Sequence, residues 1–155
     1  LLKLNLDQSN SIVIGSGILQ ALGIRESKDI DLVVTPEVFS SLKKSGNFNI
    51  MNNHGREVLK NDLFEIGTVW NVLDRQYEFK DFSNDSIVVL GVRYITLNFL
   101  HKVKKSWIND EDVRQKDIDD IKLIEEYTGK LKKIIYVFCL YSTYIFKHAL
   151  HWIYK

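Results

Sequence analysis

The sequence predicts an α/β (α+β) domain in which a mixed β-sheet is flanked by helices, with further helices toward the C-terminus. Three observations lead there. Two strand-then-helix steps open the chain, several short strand-like runs follow one another, and helical spacing takes over after about residue 96. No crossover helices alternate with strands after residue 45, which argues against a regular doubly wound parallel array.

The elements follow in order. Ser11-Ile-Val-Ile14 is a short apolar run that stops at Gly15-Ser-Gly17, and Ile18 to Leu22 then has helical spacing, giving strand, tight turn and helix. Asp29-Ile-Asp-Leu-Val-Val34 alternates and then becomes wholly apolar, as a strand entering the core does. Thr35 is a good N-cap and Pro36 suits the first helical position, so a helix is predicted from Glu37 to Lys44. Short strands are expected around Phe48–Met51, Val58–Lys60 and Leu63–Ile66, separated by Asn, Gly and Asp turn signals. Residues 71–86 carry no clear period. Ile87–Leu90 and Val92–Ile95 flank Gly91 as two strand pieces around a bend. Thr96 is the expected cap of a helix to about Trp107, and Asn109-Asp110 that of a last helix whose Ile118, Ile121 and Ile124 share a face.

A length of 155 residues suits one domain, and 45% hydrophobic with 26% charged residues describes an ordinary globular chain rather than a disordered one. A single cysteine excludes an internal disulfide framework and a multi-cysteine metal site. The formal charge of +1 conceals a division. Residues 1–129 carry sixteen basic against twenty acidic side chains, a charge of −4, whereas residues 130–155 hold five lysines and no acid. That second segment also holds seven of the eighteen aromatic residues. The expected organisation is therefore a domain over 1–129 and an apolar, basic, helical extension over 130–155. An acidic body argues against a broad nucleic-acid surface, which needs positive charge to displace counterions. No secretory leader opens the sequence, which begins on Leu1, and the lone cysteine suits a reducing compartment, so the expected location is cytoplasmic.

The stretch that carries chemistry is Gly15-Ser16, twelve further residues, then Asp29-Ile30-Asp31-Leu32. Residues two apart on a strand share a face, so Asp29 and Asp31 set two carboxylates side by side. Like charges held that close call for a cation, and Mg²⁺ is the natural one because it takes hard oxygen ligands from one or two carboxylates plus substrate phosphates. Gly15 and Ser16 would supply close backbone approach, a hydroxyl, and the start of the following helix for a triphosphate.

In these residues the chain resembles the nucleotidyltransferase superfamily, which includes DNA polymerase beta, antibiotic-modifying nucleotidyltransferases and small toxin-antitoxin nucleotidyltransferases. The signature of that superfamily is an apolar residue, Gly, then Gly or Ser, a gap, and Asp-apolar-Asp/Glu-apolar. It is matched by Ile14-Gly15-Ser16 and Asp29-Ile30-Asp31-Leu32. The superfamily also has a third carboxylate on a later strand; Phe64-Glu65-Ile66 fits best, with Glu78 in Tyr77-Glu78-Phe79 as the alternative. Small relatives of the abortive-infection type have a lysine-bearing helix followed by an Arg-x-Lys/Arg-Asp-x-x-Asp helix. Leu100-His101-Lys102 and Arg114-Gln115-Lys116-Asp117-Ile118-Asp119-Asp120 are similar to these.

The resemblance implies transfer of a nucleoside monophosphate from an NTP, ATP among the candidates, to a hydroxyl acceptor, with loss of pyrophosphate. By resemblance Asp29, Asp31 and Glu65 hold two Mg²⁺ ions, and Glu65 also assists as general base. Gly15, Ser16 and Lys102 bind the nucleotide's phosphates, and Arg114 and Asp117 position the nucleotide or tie their helix to the sheet. The acceptor, a small molecule, protein or RNA end, is not readable from the chain. The alternative function is a non-catalytic nucleotidyltransferase-like antitoxin or binding module that acts through a protein interface. Other residues read more plainly: His54 as a loop residue, His101 without a role, and Cys139 as a buried thiol. The apolar run Ile134–Phe146 is shorter than the ~20 residues that span a bilayer, so the extension is expected to dock on the domain, on a second copy or on a protein partner; the alternatives are an interfacial membrane segment with lysine flanks and a tail foreign to the family domain.

Overall fold

The computed structural model describes residues 4–53, 55–109 and 113–153, without the side chains of residue 109 and of residues 137–153. The expectations for His54, for the Asn109-Asp110 cap and for the Cys139 thiol lie outside the described residues.

β1 (Ser11–Ile14) leads through a turn into the short α1 (Gly17–Ala21), and β2 (Ile30–Val34) leads into α2 (Pro36–Lys44). The next strands are β3 (Asn49–Asn53), β4 (Arg56–Lys60) and β5 (Phe64–Gly67). A separate hairpin, β6 (Val69–Val72) with β7 (Arg75–Glu78), runs into a 3-10 turn at Phe79–Phe82. β8 (Ser86–Val89), β9 (Val92–Ile95), α3 (Leu97–Ser106), a 3-10 turn at Trp107–Asn109 and α4 (Gln115–Ile153) complete the order.

Among the described residues seven strands form one sheet in the order β3-β4-β5-β2-β1-β9-β8. β1 runs antiparallel to β2 but parallel to β9, and β2 runs parallel to β5, so the sheet is mixed as the sequence predicts. The absence of helices between β3 and β5 follows from antiparallel pairing, which needs only short turns.

Alternation along the central strands divides the core into two layers. Ile12, Ile14 and Val33 pack on one face with α1, α3, α4 and the β6–β7 hairpin. Val13, Leu32, Val34 and Ile66 pack on the other with Phe39 and Leu42 of α2. On the first face Tyr77 and Phe99 meet edge to face at 5.2 Å, and Phe82 meets Phe99 at 5.8 Å, anchoring the hairpin to α3.

The caps follow expectation in position. Thr35 and Thr96 precede α2 and α3 in extended conformation; Thr96 Oγ1 accepts the Phe99 N–H, whereas Thr35 makes no such bond and Pro36 alone starts its helix. Ile121 and Ile124 of α4 enter the core. The change of composition at Gly129 falls inside α4, beyond which Leu131, Ile134, Ile135 and Tyr136 are exposed. No helix among the described residues is long and apolar enough to cross a membrane.

Candidate active site

Strand alternation places the carboxylates. Ile30, Leu32 and Val34 face α2, so Asp31 must project with Val33 to the opposite face, the side of α3 and α4. Phe64 and Ile66 likewise face α2, which sends Glu65 to the same side as Asp31. β2 and β5 are paired with Asp31 opposite Glu65. Asp29 sits one residue before β2, exposed at the mouth of the same cleft.

That cleft has a volume of about 730 Å³, and Gly15, Ser16, Asp29, Asp31 and Glu65 all line it. Arg114, Lys116 and Asp117 close it from the α4 side. The two motifs, nearly a hundred residues apart, therefore meet around one space. Gly15 is required there twice over. Its φ is +61°, and a Cβ on it would stand 2.7 Å from Asp31 Oδ2. The backbone after β1 is thereby allowed to touch the Asp31 carboxylate. Ser16 is buried, with its hydroxyl 3.0 Å from that of Ser27. α1 has only five residues, so what this corner offers an anion is the backbone of the turn rather than the dipole of a long helix.

The three carboxylates differ in state. Burial, then the charges of Asp29 and Glu65, push Asp31 up to about 6. Burial pushes Glu65 up as well, but hydrogen bonds from Lys60 and Asn53 outweigh it and hold Glu65 below the usual range. Lys60 Nζ donates to Glu65 Oε2 at 2.9 Å and Asn53 Nδ2 to Oε1 at 2.7 Å, while an Arg56 guanidinium nitrogen lies 3.7 Å from Oε1. Asp31 thus has no directly bonded cation and feels Lys116 and Lys60 only at a distance, whereas Glu65 has partners already.

This donor set fits Mg²⁺. Asp29 and Asp31 offer hard oxygens, and at Asp31 burial and the acidic neighbours outweigh the attraction of Lys116 and Lys60. Among the described residues no three His, Cys, Asp or Glu side chains stand close enough to hold an ion unaided. A cation held here would complete its shell with water and phosphate oxygens, which is the usual manner of Mg²⁺.

Lys102 is placed differently from the expectation. It is exposed on α3 and does not line the cleft. Lys104 lines it instead, 4% exposed, with Nζ 2.6 Å from Asp117 Oδ1 and 2.7 Å from Asp120 Oδ2. Helical period explains the exchange: Phe99, Leu100, Val103 and Lys104 make the buried stripe, and Lys102 points away from it. The spacing of Leu100 and Val103 was the signal that would have found Lys104. Asp120 is held further by Arg25, whose Nη2 donates to Oδ2 at 2.8 Å, and Asp117 by Arg114, whose Nε donates to Oδ2 at 2.8 Å. Burial pushes both aspartates up, and these cations more than reverse it, leaving both below the ordinary carboxylate range. The network joins α3, α4 and the loop between α1 and β2. Glu78, the alternative third carboxylate, is exposed beside Lys80 at the end of β7, outside the cleft.

No family model matches the chain, and no curated protein matches it in sequence. Among solved structures it is similar to the solution structure of the antibiotic-resistance factor ANT(2'')-Ia, at 16% identity and a TM-score of 0.52 over 92% of this chain and 87% of that one. It is equally similar to the crystal structure of ANT(2'')-Ia in complex with adenylyl-2''-tobramycin, at 17% identity and a TM-score of 0.52 over 87% of this chain and 88% of that one. ANT(2'')-Ia is an aminoglycoside nucleotidyltransferase. These likenesses show the fold: a mixed α+β architecture similar to nucleotidyltransferase structures.

Proposed function

We propose that this protein is a Mg²⁺-dependent nucleotidyltransferase that moves a nucleoside monophosphate from an NTP to a hydroxyl acceptor and releases pyrophosphate. The observation that carries the reading is the Asp31 carboxylate, half-buried with no ion-pair partner among the described residues, set against the Gly15 backbone and opposite Glu65. The similarity of the fold to ANT(2'')-Ia supports it, and so does the adenylylated sugar in one of those structures, since both need a nucleotide and a small hydroxyl compound.

Asp29 and Asp31 are the ligands, with Glu65 beside them as the third carboxylate. Bound there, Mg²⁺ would offset the charge that builds on the triphosphate and lower the pKa of the attacking hydroxyl. Gly15 and Ser16 let the phosphates approach the backbone. Arg114 and Lys116 face the cleft with positive charge suited to the β- and γ-phosphates. The acceptor oxygen bonds to the α-phosphorus as the bond to the bridging oxygen breaks, and the hydroxyl proton leaves to solvent. Glu65 is a poor proton acceptor because its neighbours hold its pKa down, so its contribution is negative charge more than general-base catalysis. Lys104, Asp117, Asp120 and Arg25 are positioning residues that hold α4 over the carboxylates.

Incubating the folded protein with Mg²⁺ and each of the four NTPs, labelled at either the α- or the γ-phosphate, in the presence of a small-molecule extract tests this. Label from the α-phosphate should appear on an acceptor while pyrophosphate accumulates. Transfer of the γ-label, or no consumption of any NTP, contradicts the proposal.

A further inference from the structure

The cleft has two positively charged sides, and one triphosphate needs only one. On the α3–α4 side Lys104, Arg25, Arg114 and Lys116 stand against Asp117 and Asp120, an excess of two positive charges that Arg114 and Lys116 present to the cleft. On the opposite side β4 contributes Arg56 and Lys60, four residues apart and therefore on one face of the strand, against Glu65 alone. Between them lie Asp29 and Asp31, whose charge a divalent cation offsets. The α side has the larger excess and belongs to the donor triphosphate. The β4 side is left with surplus positive charge and no donor group to meet it.

We infer that the acceptor is a phosphate-bearing hydroxyl compound whose phosphate binds Lys60 and Arg56 on β4. The inference rests on the nucleotidyltransferase reading and narrows its acceptor. Lys60 is suited to the exchange because its side chain is 45% exposed and its partner, Glu65, also holds the Asn53 amide and lies near Arg56. Glu65 keeps those contacts when the Lys60 ammonium turns to a phosphate. Arg56 is fixed by its Nη1 donating to the Val69 carbonyl at 2.8 Å, so its guanidinium is already oriented at the rim. A cationic acceptor meets like charge on this side, and a neutral one leaves it unmatched. The acidic body, −4 over residues 1–129, limits the contact to one or two nucleotides and does not favour a long polyanion.

Calorimetry on the full chain with Mg²⁺ and a non-hydrolysable α,β-methylene NTP tests this. If the analogue shows no Mg²⁺-dependent binding, the nucleotidyltransferase reading itself fails at this first step, before any acceptor is added, and the inference falls with it. With the donor site saturated, adenosine 5′-monophosphate, adenosine, a cationic aminoglycoside and a four-nucleotide RNA with a free 3′-hydroxyl are titrated in turn. Adenosine 5′-monophosphate or the RNA should bind at least tenfold more tightly than adenosine. Tight binding of the mononucleotide identifies a free nucleotide as the source, and binding of the RNA alone identifies a strand end. Lys60→Ala and Arg56→Ala should each remove most of that preference, read as the ratio of the two affinities with the donor site saturated, and Lys60→Arg should restore it. Equal binding of adenosine and its monophosphate, preference for the aminoglycoside, or indifference to both alanine variants overturns the inference. Lys60 is a surface residue, so its variants fold.

Discussion

Asp31 and Glu65 stand opposite one another in the parallel pairing of β2 with β5, yet their carboxylates are in different electrostatic states. Glu65 is held by Lys60, Asn53 and Arg56, whereas Asp31 feels mainly burial and the repulsion of its acidic neighbours. The proposed cation would relieve the charge of Asp31 and leave that of Glu65, which its neighbours already hold, largely as it is.

The metal-free protein should lose stability as pH rises from about 4 to about 6. In that window native Asp31, with a pKa near 6, binds more protons than its unfolded form at 3.8, so ionisation favours unfolding. The effect amounts to about 3 kcal/mol at most, from the size of the shift. Thermal denaturation of wild type and Asp31→Asn across this range checks it: the difference between them should grow with pH in the absence of metal and shrink when Mg²⁺ is added. Parallel curves contradict it.

Acid should act in the opposite sense through α4. Asp117 and Asp120 have depressed pKa values, so the stability they contribute is present above their unfolded pKa and is lost as pH falls through the native one. Asp120→Asn should therefore show a shallower fall of stability below about pH 4 than wild type, measured by urea denaturation.

Lys104→Met should cost on the order of 3 kcal/mol, because it leaves two buried carboxylates short of a partner, whereas Lys102→Met should cost less than about 0.5 kcal/mol at its exposed position. Denaturant titration of the pair checks the exchange of roles between two lysines two residues apart. Equal costs contradict the burial of Lys104.

The lysine exchange shows what was legible in the sequence and what was not. The spacing of Gly15-Ser16 and Asp29/Asp31 was enough to bring these residues to one corner of the cleft, because what places them is local: a turn, a strand and alternation. Glu65 was legible for the same reason, since Phe64 and Ile66 flank it. Arg25 and its pairing with Asp120 were not, because the two lie 95 positions apart and nothing around Arg25 marks a buried partner. Residues 71–86 had no readable period because the β6–β7 hairpin turns at Leu73-Asp74, both at positive φ, without the Asn-Gly signature of such turns.

The β8–β9 hairpin offers a check on that last point. It turns at Leu90-Gly91, with Leu90 at φ +51° and almost wholly exposed. Leu90→Asn should stabilise the protein by about 0.5–1 kcal/mol, because Asn tolerates the left-handed region better than Leu and no packing is lost. A fall in the denaturation midpoint contradicts the turn geometry.

Gly15→Ala should cost about 1–2 kcal/mol from its positive φ and, through the close approach to Asp31 Oδ2, weaken metal-dependent nucleotide binding at least tenfold. Ala at exposed Gly46, where a Cβ meets nothing within 4 Å, should cost no more than the strain and leave binding intact. Calorimetry on both variants separates the steric effect from the conformational one.

The most direct measurement of the central claim is a calorimetric titration of NTP into wild type and into an Asp29→Ala/Asp31→Ala variant, each with and without Mg²⁺. Wild type should bind NTP only when Mg²⁺ is present, and the double variant should remain folded but lose that dependence together with the affinity. Unchanged binding by the folded variant, or binding by wild type that ignores Mg²⁺, would contradict the account.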